Sequence, residues 1–71
     1  MDMEKFIELI DVYNYGIVAF NTYRLSGVNR CYIMVGERGS VGRFLKFECD
    51  TNKLNSLLDA IIDKFRVEES D

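Results

Sequence analysis

The fold is decided by residues 17–49, which read IVAFNTYRLSGVNRCYIMVGERGSVGRFLKFEC. β-Branched and aromatic residues dominate this stretch, as is typical of strands, and clusters of turn-forming residues interrupt it at 26–29 and 36–40. The pattern predicts three strands, over residues 17–25, 30–35 and 41–49. Because the connections between them are short, neighbouring strands should run antiparallel and form a three-stranded meander.

The segments on either side of this stretch carry helical periodicity. In the first, apolar residues recur three or four positions apart, and Asp2 and Gly16 are the predicted N-terminal cap and stop of a helix over residues 3–14. In the second, a helix capped by Asp50 or Thr51 carries a longer apolar stripe, made of Leu54, Leu57, Leu58, Ile61, Ile62 and Phe65. Residues 67–71 are predicted to fray.

The predicted chain is a single α+β domain over residues 1–71, with the order α-β-β-β-α and both helices packed on one face of the sheet. A four-residue first connection would place Thr22 opposite Ile33, and a five-residue second loop would place Val35 opposite Val41. These registers direct the following residues toward the helices: Val18, Phe20, Cys31, Ile33, Val35, Val41, Leu45, Phe47 and Cys49. They direct the following residues to the other face: Ile17, Ala19, Tyr23, Leu25, Arg30, Tyr32, Met34, Phe44 and Lys46. A one-residue slip in the second loop would exchange the faces of the third strand.

The composition argues against an enzyme. The 71 residues are 48% hydrophobic and 30% charged, which is a globular balance, and they include no histidine. Without histidine, the chain lacks the side chain that serves most general acid–base sites and most Ser–His or Cys–His nucleophile pairs. We therefore expect a non-enzymatic protein without a cofactor.

The two cysteines, Cys31 and Cys49, are predicted to be structural. Although Arg30 lies beside Cys31, free cysteine is most often a small buried apolar residue. The predicted register places Cys31 opposite Leu45, about 13 Å from Cys49, and therefore excludes a disulfide between them. Two cysteines without histidine also cannot close a structural zinc site, so we expect no bound metal.

We expect no targeting signal. The first five residues contain neither a cationic nor an apolar signal region, and the longest uncharged apolar run spans residues 17–20, far short of the ~20 residues that cross a bilayer. Two scattered cysteines are typical of a protein in a reducing compartment, whereas a secreted domain of this size that is stabilised by disulfides usually has four or more. The predicted location is the cytoplasm, with no membrane association.

Charge is distributed unevenly along the chain. Residues 1–16 hold four acids and one base, residues 17–47 hold five bases and one acid, and residues 48–71 hold seven acids and three bases. Basic and aromatic residues alternate in the central segment, a pattern that can bind single-stranded nucleic acid through phosphates and base stacking. In this alternative the phosphates of RNA or single-stranded nucleic acid are bound by Arg24, Arg30, Arg38, Arg43 and Lys46, and Tyr32 or Phe44 stacks on bases.

The α-β-β-β-α order resembles the double-stranded-RNA-binding domain in topology. That family begins its second helix with a basic Lys-Lys-x-Ala-Lys type of sequence, which binds phosphates. The matching residues here, 49–54, contain one base, Lys53, and one acid, Asp50. The resemblance therefore implies the topology and no function.

The face of the sheet turned away from the helices is the leading candidate for a binding surface. A solvated face normally alternates to polar residues, and this one is predicted to carry aromatic and apolar ones. Its candidate partner-binding residues are Tyr23, Arg30, Tyr32, Met34, Phe44 and Lys46. The main hypothesis is a protein-interaction module: a homodimer, or a small inhibitor or adaptor of a cellular protein, as small phage or mobile-element proteins can be. The alternative is binding of RNA or single-stranded nucleic acid.

Overall fold

The computed structural model describes residues 1–70 and the side chains of residues 1–68. Its elements are α1 (Met3–Val12), β1 (Tyr15–Leu25), β2 (Val28–Glu37), β3 (Phe44–Asp50), a 3-10 turn (Thr51–Lys53) and α2 (Leu54–Ser70). The three strands form one antiparallel sheet in the order β1-β2-β3. The predicted α+β class and the α-β-β-β-α order are confirmed.

Polar residues flank helix α1 at both ends. The Asp2 carboxylate accepts a hydrogen bond from the backbone N–H of Lys5 at 2.8 Å, as the sequence predicted for an N-terminal cap. At the other end Asn14, not Gly16, adopts the left-handed conformation that stops the helix, with φ of 67°. The helix therefore ends two residues earlier than predicted.

A two-residue turn joins β1 to β2. Ser26 and Gly27 both have positive φ, of 50° and 79°, which is the geometry of a type I′ hairpin turn. Leu25 consequently pairs with Val28, and the predicted four-residue connection is wrong. Thr22 lies opposite Cys31 rather than Ile33. This shift of two residues changes the pairing without changing which face a side chain occupies.

A β-bulge at Val18 reverses the predicted faces of two residues in β1. Ile17 pairs with Val35 and Ala19 pairs with Met34, so Val18 is the extra residue. Ile17 therefore packs against the core, although its predicted position was the other face. Val18 turns to the face away from the helices, where 53% of its surface is exposed.

The connection from β2 to β3 is longer than predicted, and it spans residues 38–43. Gly39 and Gly42 have φ of 82° and 84°, a conformation that does not continue a strand. Val41 lies in this loop fully exposed to solvent, so its predicted place in a strand facing the helices is wrong. Leu45 instead lies opposite Val35.

The same change of register brings the two cysteines together. Cys31 lies directly opposite Cys49, and their Sγ atoms are 3.7 Å apart. The predicted separation of about 13 Å, and with it the geometric argument against a Cys31–Cys49 contact, is wrong because β3 pairs with β2 four residues further along than predicted. Since four is an even number, Cys49 still faces the helices as predicted.

One core lies between the sheet and the two helices. It is formed by Phe6, Ile10, Ile33, Val35, Leu58, Ile61, Ile62 and Phe65. The predicted stripe of α2 supplies four of these residues, because a 3.6-residue repeat keeps them on one side of the helix. Helix α2 extends to Ser70, so it includes four of the five residues predicted to fray; Asp71 lies outside the described residues.

We expect Leu58→Ala to lower the free energy of unfolding by about 2–5 kcal/mol, because it leaves a cavity at a fully buried position. Val67→Ala is the control on the same helix. Val67 is 65% exposed, so its truncation should change stability by no more than about 0.5 kcal/mol. Urea denaturation followed by circular dichroism measures both. Equal stabilities of the two variants would contradict the assignment of Leu58 to the core.

Candidate functional site

The candidate site is the face of the sheet that turns away from both helices, here called the open face. Cross-strand pairing places its side chains in rows: Ala19, Met34 and Lys46; Asn21, Tyr32 and Glu48; Tyr23, Arg30 and Asp50. Phe44, opposite Gly36, and the bulged Val18 complete it at one end. The structure thus brings all six predicted partner-binding residues onto one surface: Tyr23, Arg30, Tyr32, Met34, Phe44 and Lys46.

One end of the open face is apolar and is built around Gly36. A Cβ atom added to Gly36 would lie 2.9 Å from Cγ2 of Val18 and 3.1 Å from Cδ1 of Phe44. These two side chains therefore close over the backbone of a buried glycine, and 53% of Val18 and 49% of Phe44 remain exposed. Ala19 and Met34 are partly buried beside them. We call these four side chains the apolar end.

The other end holds an ion pair connected to a tyrosine. The Arg30 guanidinium lies 2.7 Å from the Asp50 carboxylate, and its Nε atom donates a hydrogen bond to the Tyr23 hydroxyl at 3.4 Å. Hydrogen bonding to Tyr23 raises the pKa of Arg30 above its ordinary value, and the charge of Asp50 acts in the same direction. Both partners fix the guanidinium on the sheet surface, where it stays charged.

Tyr32 lies at the centre of the open face and has partners on both sides. Its hydroxyl accepts a hydrogen bond from the Asn21 side chain at 2.8 Å, and its ring lies 6.5 Å from that of Tyr23. The Lys46 ammonium lies 4.7 Å from the centre of the Tyr32 ring, within range of a cation–π contact, and 3.2 Å from Glu48. These contacts hold a large aromatic side chain in one position while its surroundings remain partly solvated.

The five basic residues predicted to bind nucleic acid do not share one surface. Arg24 pairs across the sheet with Asn29, and the alternation along both strands places this pair on the face turned toward the helices. The Arg24 guanidinium donates a hydrogen bond to the Asn29 side chain. Arg38 forms an ion pair with Asp11 of α1, and its backbone N–H donates to the carbonyl of Asn14 at 2.9 Å. Arg43 lies exposed in the 38–43 loop.

Only Arg30 and Lys46 of that set lie on the open face, and each has a carboxylate partner there. Two cations and two carboxylates make this face neutral in sum among the described side chains. A surface that binds nucleic acid must instead present excess positive charge to replace the counterions of phosphates. The basic stretch visible in the sequence is therefore largely neutralised by the fold.

Sequence reasoning did not identify Val18, Gly36 or the acidic partners of the basic residues. Val18 reaches the open face only because of the bulge, for which the sequence carries no distinct signal. The sequence predicts a loop at Gly36, although a glycine within an apolar strand can indicate close approach of a neighbouring side chain. The sequence predicts Asp50 as a possible helix cap, and its carboxylate contacts Arg30 only because of the observed register.

The described part of the chain shows neither a metal-binding cluster nor a membrane-spanning helix. Among the described side chains, no group of three or more histidine, cysteine or acidic residues is placed to hold a metal ion. No helix in residues 1–70 is both long and apolar enough to cross a membrane. Comparison with protein-family models, curated proteins and solved structures finds no match for this chain.

We expect Gly36→Ala to lower the free energy of unfolding by about 1–3 kcal/mol, because the added methyl group would overlap Val18 and Phe44. Gly16→Ala is a matched control, since Gly16 is the direct cross-strand partner of Gly36. A methyl group on Gly16 meets its nearest neighbour at 3.9 Å, so this variant should be unchanged or more stable by up to about 1 kcal/mol. If chemical denaturation shows equal loss in both, the tight packing over Gly36 is not real.

Proposed function

We propose that this protein is a small, non-enzymatic protein-interaction module whose open face binds a second copy of the same chain. The observation that carries the proposal is the pair of half-exposed side chains, Val18 and Phe44, packed over Gly36. Exposed apolar side chains that are contiguous on one surface, with ordered polar groups beside them, are typical of protein interfaces.

The composition of the open face supports a protein partner. Tyrosine, phenylalanine, methionine and arginine are enriched in the centres of interfaces, and the open face supplies all four as Tyr23, Tyr32, Phe44, Met34 and Arg30. The contacts of Tyr32 with Asn21 and Lys46 restrict its side chain before binding. A side chain that is already ordered loses less conformational entropy when a partner binds.

Charge balance supports a second copy as that partner. Because Arg30 is paired with Asp50 and Lys46 with Glu48, two open faces can approach without net repulsion. A twofold arrangement would also allow the cations of one copy to contact the carboxylates of the other. A chain of 71 residues has a small core, and burying the apolar end of each copy would add to its stability.

The experiments described below also test two other hypotheses. The open face could bind a different cellular protein, which would make the chain an inhibitor or an adaptor that uses the same residues. RNA or single-stranded nucleic acid is the less supported alternative, because Arg30, Arg38 and Lys46 already have carboxylate partners. The cytoplasm is the proposed location, since two free thiols suit a reducing compartment.

We expect sedimentation velocity to show a dimer as the protein concentration is raised to about 0.1 mM. Phe44→Glu should raise the dissociation constant of the dimer by about tenfold or more. The substitution places a charge at the apolar end, where the second copy would bury it. Ile7→Lys is the control: Ile7 is 48% exposed on α1, whereas Phe44 is 49% exposed on the open face. Ile7→Lys should leave the dimer intact.

Circular dichroism first establishes that both variants are folded. A wild-type monomer throughout this concentration range would contradict the second-copy proposal. A dimer that persists in Phe44→Glu would show that self-association uses another surface.

We expect fluorescence anisotropy to show no salt-dependent binding of a labelled single-stranded RNA. Binding through phosphates would instead be strong at low salt and fall steeply toward physiological salt. The double variant Arg43→Glu/Lys46→Glu should therefore give the same RNA anisotropy as the wild type. Strong wild-type binding that falls with salt, and that the double variant loses, would favour the nucleic-acid alternative over the protein interface.

A further inference from the structure

The two cysteines form a pair on the helix side of the sheet, opposite the open face. Cys31 of β2 and Cys49 of β3 are direct cross-strand partners, and their Sγ atoms lie 3.7 Å apart as free thiols. Their exposures differ, since Cys31 is fully buried and Cys49 is partly exposed. One residue of the pair is thus partly accessible from solvent, and the other is not.

We propose that Cys31 and Cys49 are a redox site, which a small-molecule disulfide such as oxidised glutathione converts reversibly into an intramolecular disulfide. The site does not use any residue of the open face, so it is independent of the proposed function. The small-molecule disulfide is the oxidant, and the two cysteine thiols are the electron donors.

The backbone geometry of the sheet fits this bond. Directly opposite residues of antiparallel strands have Cα atoms about 4.5–5.5 Å apart, which lies within the roughly 4.4–6.8 Å that disulfides span. The Sγ atoms need to move from 3.7 Å to about 2.05 Å. Rotation of the partly exposed Cys49 side chain would supply this movement.

The difference in exposure sets the order of the two exchange steps. The Cys49 thiolate attacks one sulfur of oxidised glutathione, which forms a mixed disulfide on Cys49 and releases one reduced glutathione. Cys31 then attacks the Sγ atom of Cys49, and its proton passes to the departing glutathione thiolate, which leaves as a second reduced glutathione. Two protein thiols are oxidised, and one glutathione disulfide is reduced to two thiols.

The environment of Cys31 makes it the second thiol to react. Burial raises the pKa of Cys31 to about 11, and the hydrogen bond with the Cys49 sulfur acts in the same direction. At neutral pH Cys31 is therefore protonated as well as inaccessible. It becomes reactive when the mixed disulfide places an electrophilic sulfur next to it.

Oxidation would fix the end of β3 from which the chain enters α2. The next cross-strand pair after Cys31 and Cys49 is Arg30 and Asp50, and the 3-10 turn that leads into α2 begins at Thr51. The disulfide would close residues 31–49 into a loop and attach an edge strand covalently to the central one. Loop closure of this length should raise Tm by roughly 15–25 °C.

The test incubates the reduced full chain in buffers of increasing ratio of oxidised to reduced glutathione, followed by acid quenching and intact mass measurement. We expect a monomer that is lighter by two hydrogens and carries no glutathione, with a Tm raised as above and restored by dithiothreitol. Cys31→Ala should accumulate one glutathione, because the mixed disulfide on Cys49 cannot be displaced. Cys49→Ala should react far more slowly than Cys31→Ala, because its remaining thiol is buried.

Three results would overturn the proposal: wild-type protein that keeps both thiols, wild-type protein that retains a glutathione on Cys49, or a disulfide between two chains. If Cys31→Ala fails to fold by circular dichroism, Cys31→Ser serves as the second trapping variant. The mass of the wild-type product decides between the outcomes in either case.

Discussion

The alternation of side chains along β2 is the constraint on which the rest of the structure depends. As the central strand, β2 is covered by neighbours at both edges, so its residues can only point to one face of the sheet or the other. Cys31, Ile33 and Val35 are fully buried beneath the helices. The intervening Tyr32 and Met34 occupy the middle of the open face. A single strand therefore organises both the core and the candidate interface.

Element order and the division into two faces could be predicted from the sequence, whereas the pairing of individual residues could not. Helix stripes and β-branched runs are local signals, so they can be recognised in the sequence. The registers depend on the turns, and the type I′ turn and the longer second loop shift them by two and four residues from the predicted pairing. Even shifts leave every side chain on its predicted face. The predicted faces are therefore correct for the residues that lie in β2 and β3, but not for Val41, which lies in a loop, or for Ile17 and Val18 at the bulge. The predicted separation of Cys31 and Cys49 depended on pairing and is wrong.

The candidate site shows the same division. Tyr32 and Phe44 could be placed on the open face because their positions follow a two-residue period. The partners that decide their chemistry could not, because Glu48 and Asp50 approach the basic residues only when β3 is paired in the observed register. The sum of charges over residues 17–47, with five bases and one acid, predicts a basic sheet. Pairing in three dimensions gives an open face without net charge, which changes the kind of partner that it favours.

The bulge at Val18 also affects the outer edge of the sheet. Strand β1 is an edge strand of eleven residues, whose unpaired backbone groups could template another strand along its whole length. The extra residue interrupts the regular spacing of those donors and acceptors and increases the local twist. Strand-to-strand growth into open-ended fibres is thereby disfavoured. Self-association through the open face, as proposed, would instead form a closed assembly about a twofold axis.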